Sequence, residues 1–491
     1  MIRSPQRARW AAALTLLLVT GCASSTPPPG ASAALTPADS EARDMRLLGH
    51  DGLQARSAYQ PVIQKQGNRW IAYIGHHGGR KLNPLTGQME ESGTSIVDVT
   101  DPRAPRYLVH IPGAPGEAEA GGAAMVRVCD GATLPKGNPS KVYLLRTLGN
   151  LAHEMWDVTD PAKPARINTI LSGLEQTHKN WWECDSGIAY LVSDGKPGGW
   201  RTNRMTKIYD LSDPETPRFI RDFGLPDQAP GTTGTATPGV HGPISLGNRV
   251  YFPYGTGADG VLQIVDRERL LAGDPRVPAA SRFTPTRDNL MYPQVGWMPM
   301  SPSWGGHTSF PVLGVSIGDW TRNAFGGTRD FVVLVSESLK NECQEARQLT
   351  FMVDVTTEDK PFSVATFEVP DQPGDFCGRG GRFGPHSSNE SFTSAFYGRL
   401  VFLAYFNAGV RAVDIRDPFH PKEVAYFVPA VTSATAQRCV QVHGTDRCKV
   451  AIQTNNVEVD ERGYIYLVDR ADTGLHIVEL TGTARAIARL P

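Results

Sequence analysis

The stretch Val410-Arg411-Ala412-Val413-Asp414-Ile415-Arg416-Asp417-Pro418, with Pro421 just beyond it, decides the fold. Its apolar and β-branched residues read as a strand that ends in an aspartate and breaks at an Asp-Pro turn. The same order of residues returns in Ser95–Pro102, Met155–Pro161 and Lys207–Pro214, each with a second proline three residues on. Weaker copies are Gln263–Asp266, Phe351–Val355 and His476–Leu480. One strand–turn unit repeated along a chain predicts a repeat architecture, so the repeat has to be read before any local motif.

Working outward from each turn, the preceding run is apolar and of strand length, as in Ile188–Val192, Phe331–Val335 and Tyr464–Val468. The following stretch alternates, as in Lys422–Val428 and Arg218–Phe223, which suits a half-exposed outer strand. With an innermost strand ahead of the apolar run, each unit holds four antiparallel strands. Radial repetition of such units predicts an all-β, seven-bladed β-propeller over residues 43–491. The units fall at about 58–113, 122–174, 176–226, 239–285, 305–370, 385–430 and 451–482. The last unit lacks an outer strand, and Asp44–Gly49 resembles one. The N-terminal strand is therefore expected to close the last blade, because an open end leaves an unpaired apolar face.

The aspartate-turn sequence resembles the repeat of the LVIVD-repeat family of bacterial surface and periplasmic proteins, over roughly residues 58 to 482. The copies around Asp266 and Asp354 depart from it, lacking the Asp-Pro pair. The resemblance implies a propeller and implies no single biochemistry. The recurring aspartates Asp98, Asp157, Asp210, Asp354 and Asp414 are expected to accept turn N–H groups rather than to do chemistry, as are Asp101, Asp160, Asp213 and Asp417 before proline.

The N-terminus reads as a targeting segment, residues 1–21. Arg3, Arg7 and Arg9 precede a short apolar run, Ala11–Val19, too short to span a bilayer. Val19-Thr20-Gly21-Cys22 resembles a bacterial lipobox, which implies lipid attachment at Cys22 and a cell-envelope location facing the periplasm or exterior. Ala23 after the cysteine favours the outer membrane in a Gram-negative cell. Residues 22–42, rich in Ser, Pro, Ala and Thr, read as a disordered tether. An exported chain with six further cysteines predicts disulfides. Cys439 and Cys448 bracket one short loop, Cys343 and Cys377 flank one unit's outer part, and Cys129 and Cys184 hold matching places in neighbouring units. Free buried thiols are the competing reading. A net charge of −1 gives no electrostatic footprint for nucleic acid, and the expected membrane contact is the lipid alone. The chain reads as a monomer.

Four histidines open successive units: His178, His241, His307 and His386, spaced by blade lengths. Their innermost strands should bring them to one end of a central channel, as ligands of a transition metal. Nitrogen donors without thiolates leave iron, copper, zinc and nickel open. Asp194, Glu337 and Asp469 each end an apolar run and are expected to accept the second ring N–H and fix the tautomer. Arg146 holds the matching place in the second unit, and Trp181, Trp182 and Trp304 are candidate pocket walls. The remaining histidines (His50, His76, His77, His110, His153, His420, His443 and His476) show no such register and read as surface or turn residues.

Two functional classes stand against each other at this point. One is a metal-dependent enzyme, an oxidoreductase in particular. The other is a non-catalytic surface module gripping a protein, a glycan or the cell wall through its loops, with each histidine paired inside its own blade as in the Gly-His pairs of WD-repeat propellers. The long insertions Gly75–Glu91, Phe283–Trp304 and Asp371–Phe383 discriminate: over the histidines they are pocket walls, elsewhere a partner surface.

Overall fold

A computed structural model describes residues 40–195, 198–317 and 327–490. The expected targeting segment, Cys22 and the expected tether up to residue 39 lie outside the described residues. The end of the expected tether is not disordered, since Glu41–Arg43 is a strand paired antiparallel with Lys422–Val428, Glu41 opposite Val428. Strand accounts for 49% and helix for 5% of the structure, so the core is made by sheets alone. The architecture is all-β and β-propeller-like.

Four sheets have the same plan of four consecutive antiparallel strands. One is Thr177–Trp182, Ile188–Ser193, Met205–Asp210 and Arg218–Phe223. The first unit repeats it in Ala58–Gln66, Arg69–Gly78, Thr94–Asp98 and Arg106–Ile111, with Ala118–Ala123 added beside Arg69–Gly78. The last two units share one nine-stranded sheet, joined by the single pair Phe406↔Thr454. Within it, the N-terminal strand Met45–Asp51 pairs with Gly474–Leu480, with Met45 opposite Leu480. That strand supplies the outer strand the last unit lacks.

The middle strands are buried on both faces, and this is why they read as unbroken apolar runs. Phe331–Val335 is fully enclosed, and each such side chain contributes roughly 1.5–3 kcal/mol on burial. The outer strands alternate instead, as in Arg218–Phe223. Each apolar cluster lies between neighbouring units. Leu145 packs with Leu191 and Tyr209, Tyr190 with Phe252, Leu262 with Val332, Val333 with Leu403 and Phe402 with Leu467. Ile71 and Tyr73 of the first unit meet Leu144 of the second. On their other side, Ala72 and Val97 meet Tyr466 and Val468 of the last unit.

The fourth unit differs from the expected 239–285. Its outer strand is Gln294–Pro299, reached through two short helices, Arg267–Ala272 and Arg287–Met291. Asp266 caps the first of them through the Arg269 N–H. A helix cap thus replaces the missing Asp-Pro turn. The segment Phe283–Trp304 therefore builds the sheet's edge and is not a free loop.

All three cysteine pairs are disulfides: Cys129–Cys184, Cys343–Cys377 and Cys439–Cys448. This is the chemistry of an oxidising, extracytoplasmic compartment. Among the described residues no helix is long and apolar enough to cross a membrane.

Candidate metal centre

The first strands place four histidines in or just ahead of them: His178 is the second residue of Thr177–Trp182, His386 lies within Phe383–Ser388, His307 directly precedes Thr308–Ser316 and His241 precedes Ile244–Leu246 by three residues. All four converge and are almost fully buried. Ring centroids are 4.5 Å apart for His178 and His241, 3.4 Å for His241 and His307, and 4.3 Å for His307 and His386. Tyr59, from the first unit, completes the circle at 5.8 Å from His178 and 5.6 Å from His386. The histidines meet one another and are not held apart inside separate units.

Glu337 enters this cluster directly. Its carboxylate lies 3.7 Å from His307 Nε2 and 3.6 Å from His386 Nε2. One ligand atom from each of these three residues lies within 4.8 Å of the others, so the group can hold a metal ion. Two donors bound at about 2.1 Å stand roughly 3.0–3.6 Å apart for angles of 90–120°, close to the spacings found.

The ring nitrogens facing inward are free of other partners. Among the described residues, Nε2 of His307, Nε2 of His386 and both nitrogens of His241 are buried without a hydrogen bond. On the far side, His386 Nδ1 donates to the Asn455 carbonyl and His307 Nδ1 pairs with the Thr308 hydroxyl at 3.0 Å. A carbonyl only accepts, so the His386 Nε2 lone pair faces Glu337. Burial, reinforced by neighbouring imidazoles and cations, pushes His178, His241, His307 and His386 well below the ordinary histidine range. The rings are therefore neutral at pH 7, the form that binds metals. Burial also lifts Glu337 to about 7, opposed by Arg382 and Arg470. A bound cation would draw it back towards the carboxylate.

The roles expected of the three carboxylates divide. Glu337 faces the rings' open nitrogens and so is placed as a donor itself. Asp194 accepts from the Glu175 and Gln176 N–H groups, and Asp469 from those of Gln453 and Ala471. These bonds tie strand ends together. For His307 and His386 the expected carboxylate acceptors are replaced by Thr308 and Asn455. Arg146 forms a buried ion pair with Glu154 at 2.9 Å and bonds the Ile111 and Pro112 carbonyls, a link between units. The tryptophans do not wall the site. Trp181 and Trp182 stand at the far end of the strand that His178 begins, beside a separate cleft, and Trp304 donates to the Arg347 carbonyl.

Reading the other histidines as surface or turn residues holds for His420 and His443, which are exposed. His76, His77, His110, His153 and His476 are buried. His77 belongs to the cluster's edge, 4.7 Å from Tyr59. Its Nε2 accepts from Arg470 at 2.9 Å, and its Nδ1 pairs with Ser57. Arginine only donates, so that nitrogen is occupied and His77 is a neighbour of the site rather than a donor. A register signal marks it. Ile71, Ile188, Phe331 and Tyr464 each face the acidic residue that is last or next to last in the following strand. Six positions further on (77 − 71, for example) stand His77, Asp194, Glu337 and Arg470.

Next to the cluster lies a cavity of about 630 Å³, whose lining includes His77 but not His178, His241, His307, His386 or Glu337. Arg382 and Arg470 are also in its lining, with Gly78–Lys81, Ala436 and the hairpin residue Arg438. Arg382 bonds Glu337 at 2.9 Å, and Arg470 lies 3.9 Å from Glu119. Burial opposes the charge on Glu119, yet Arg204, His77 and Arg470 hold its carboxyl down at about 2. Phe406 lies under both arginines and against His386. Its φ of 45° is costly for a bulky side chain. Thus His77–Lys81 from the segment 75–91 and Arg382 from the segment 371–383 line the cavity, and no residue of 283–304 is in its lining.

No family model and no curated protein matches this chain.

Proposed function

We propose that the chain is a metal-dependent oxidoreductase of the cell envelope. In this reading it is built as a seven-bladed propeller and tethered by lipid at Cys22. The observation that carries the enzyme reading is the set of unpartnered, neutral imidazole nitrogens gathered around Glu337, next to a cavity that Arg382 shares with it. Leaving such polar atoms buried and unpaired costs about 1–3 kcal/mol each, which a bound cation would offset. His307, His386 and Glu337 would hold the ion, with His241 beside them. Two imidazoles and one carboxylate form the donor set of non-haem iron(II) oxidising enzymes, so iron is the first ion to test, ahead of copper, zinc and nickel. A metal held there supplies redox or Lewis-acid chemistry. The chain's own contribution is to fix the rings through Thr308 and Asn455, keep them neutral and exclude bulk water.

Support for the seven-bladed ring comes from the apolar clusters, which join each unit to the next and the last to the first. The LVIVD-repeat assignment rests on the strand–turn sequence, and the lipid anchor on Val19–Cys22. The loop positions favour the enzyme over the loop-gripping module, since two of the three insertions frame the cavity.

The test is metal analysis of the periplasmically expressed, purified chain and of its Glu337→Gln variant. About one transition metal per chain, lost in the variant, is expected. Less than a tenth of an equivalent in the wild type after incubation with iron(II), copper, zinc and nickel in turn would end the reading. For the anchor, Cys22→Ser should release the chain from membranes, and unchanged fractionation would exclude lipid there.

A further inference from the structure

We infer that the cavity next to the histidine cluster binds a small oxyanion, a carboxylate or a phosphate group on the substrate, through Arg438, Arg470 and Arg382. This rests on reading the histidine cluster as the reaction centre, since it places the substrate beside it.

The lining carries five cationic side chains against two carboxylates, Glu117 and Asp472. Lys81 and Asp472 pair with each other at 3.0 Å, and Arg80 turns towards Glu91 at 3.7 Å. The three remaining arginines come from three different parts of the chain and converge. Arg438 sits on the hairpin Gln437–Val442 and Thr445–Val450, which Cys439–Cys448 staples across one opposed pair. Its guanidinium donates to the Arg470 carbonyl at 2.8 Å. Arg470 gives one Nη to His77. Its other, Nη1, is buried with no hydrogen-bond partner among the described residues. Arg382 is the best neutralised of the three, through Glu337.

Guanidinium groups brought together in this way repel one another, and a buried N–H without an acceptor is costly. An oxyanion relieves that repulsion, because a planar guanidinium fork matches two carboxylate or phosphate oxygens. The cavity volume is that of a small-molecule site. A cation at the histidine cluster would add positive charge beside it. Phe406 lies against Arg382 and Arg470 in cation–π contact.

The experiment is calorimetric titration of the purified wild-type chain with succinate, with inorganic phosphate and with uncharged succinamide, at low and at physiological salt. Metal content is measured on the same samples. Saturable binding of succinate or phosphate is expected, and whichever binds tighter names the group. Succinamide should bind at least tenfold more weakly. Arg438→Gln, on the stapled hairpin, should weaken the anion about tenfold while leaving metal content unchanged. Arg470→Lys should weaken it too while keeping the charge, since the fork is lost. Absence of anion binding, equal binding of succinamide, or undiminished binding by Arg438→Gln would overturn the proposal. Anion binding by a chain that takes up no metal would sustain the arginine site and sink only the metal reading.

Discussion

The two ends of each unit carry the same kind of repetition and opposite chemistry. At one end stand the turn aspartates. Asp98, Asp157, Asp210, Asp354 and Asp414 each accept the N–H two residues on, at 2.9–3.0 Å. Asp101, Asp160, Asp213 and Asp417 repeat that bond ahead of their prolines. Every one of these carboxylates has its hydrogen-bond partner within its own turn. At the other end stand the histidines, equally periodic, whose inward nitrogens at His241, His307 and His386 find no partner among the described residues. Repetition alone therefore does not separate scaffold from site. Satisfaction separates these two repeats: the turn aspartates complete their bonds locally, and His241, His307 and His386 each keep at least one buried ring nitrogen without a partner among the described residues.

The sharpest way to break this contrast is acid, because the two ends titrate in different windows. The buried histidines, including His76, His77, His178, His241, His307, His386 and His476, have folded-state values well below 6.5. Below pH 6.5 the unfolded chain takes up protons that the folded chain refuses, so stability is full above 6.5 and falls with pH. Each group contributes up to about 1.4 kcal/mol per pH unit. Glu337 and Glu458, lifted by burial to about 7, act oppositely, favouring the folded state as pH falls from 7 towards 4.5. The histidines outnumber them, and the expected loss between pH 6.5 and 5 is several kcal/mol. The turn end responds later. Although burial opposes it, the Thr100 bonds with Arg69 and Arg106 hold Asp98 at about 2, so its contribution survives until pH drops below 3.8. Thermal midpoints across pH 4–7.5 check this. A midpoint unchanged or rising from pH 6.5 to 5 would contradict the neutral, buried cluster.

Next in size is the site itself. Glu337→Gln keeps the shape and removes the negative oxygen, and metal affinity should fall at least a hundredfold, with the unfolding midpoint of the metal-free chain little changed or raised. The matching change at the turn end, Asp157→Asn, should leave metal affinity within twofold. Competition against a chelator of known affinity reads both. Equal effects at the two ends would erase the distinction between them.

How much of this was legible beforehand follows from the same contrast. The strand–turn units, the N-terminal strand against Gly474–Leu480, the three disulfides and the four converging histidines all follow from local periodicity and spacing. The missed features depend on three-dimensional register. His77 looks like the tail of an apolar run until the strands are aligned on their paired aspartates, where it falls in line with Glu337. The same alignment marks Arg470, the neighbour of Asp469, as the residue that reaches the cavity. Glu337 was expected behind the rings and lies among them, because nothing in a linear sequence gives the depth to which a side chain enters. The fourth unit hid its outer strand behind two helices, since Asp266 reads identically as a turn residue and as a helix cap.

A smaller effect, about tenfold in metal affinity, is expected from Thr308→Val, which removes the hydroxyl that pairs with His307 Nδ1 and frees the ring to turn. Thr308→Ser should restore most of the loss. Rescue by serine separates orientation through the hydroxyl from packing of the methyl group. Failure of serine to rescue would assign Thr308 to packing alone.

The smallest expected change tests the turn end by itself. Asp210 accepts from the Ser212 N–H at 2.9 Å and from Arg218 at 2.8 Å. Asp210→Ala removes one turn acceptor and strands the backbone N–H of the buried Ser212, for a loss of about 1 kcal/mol. Asp210→Asn keeps an oxygen for the Ser212 N–H and should recover about half of it. The Arg218 pair adds little, because that arginine is 76% exposed and screened by solvent. Neither variant should alter metal content or anion binding, because Asp210 lies at the opposite end of its unit from His178. Denaturant midpoints give the stability change and metal analysis gives the other arm. A loss of metal in Asp210→Ala without global unfolding would couple the two ends and overturn the division between self-satisfied scaffold and open site.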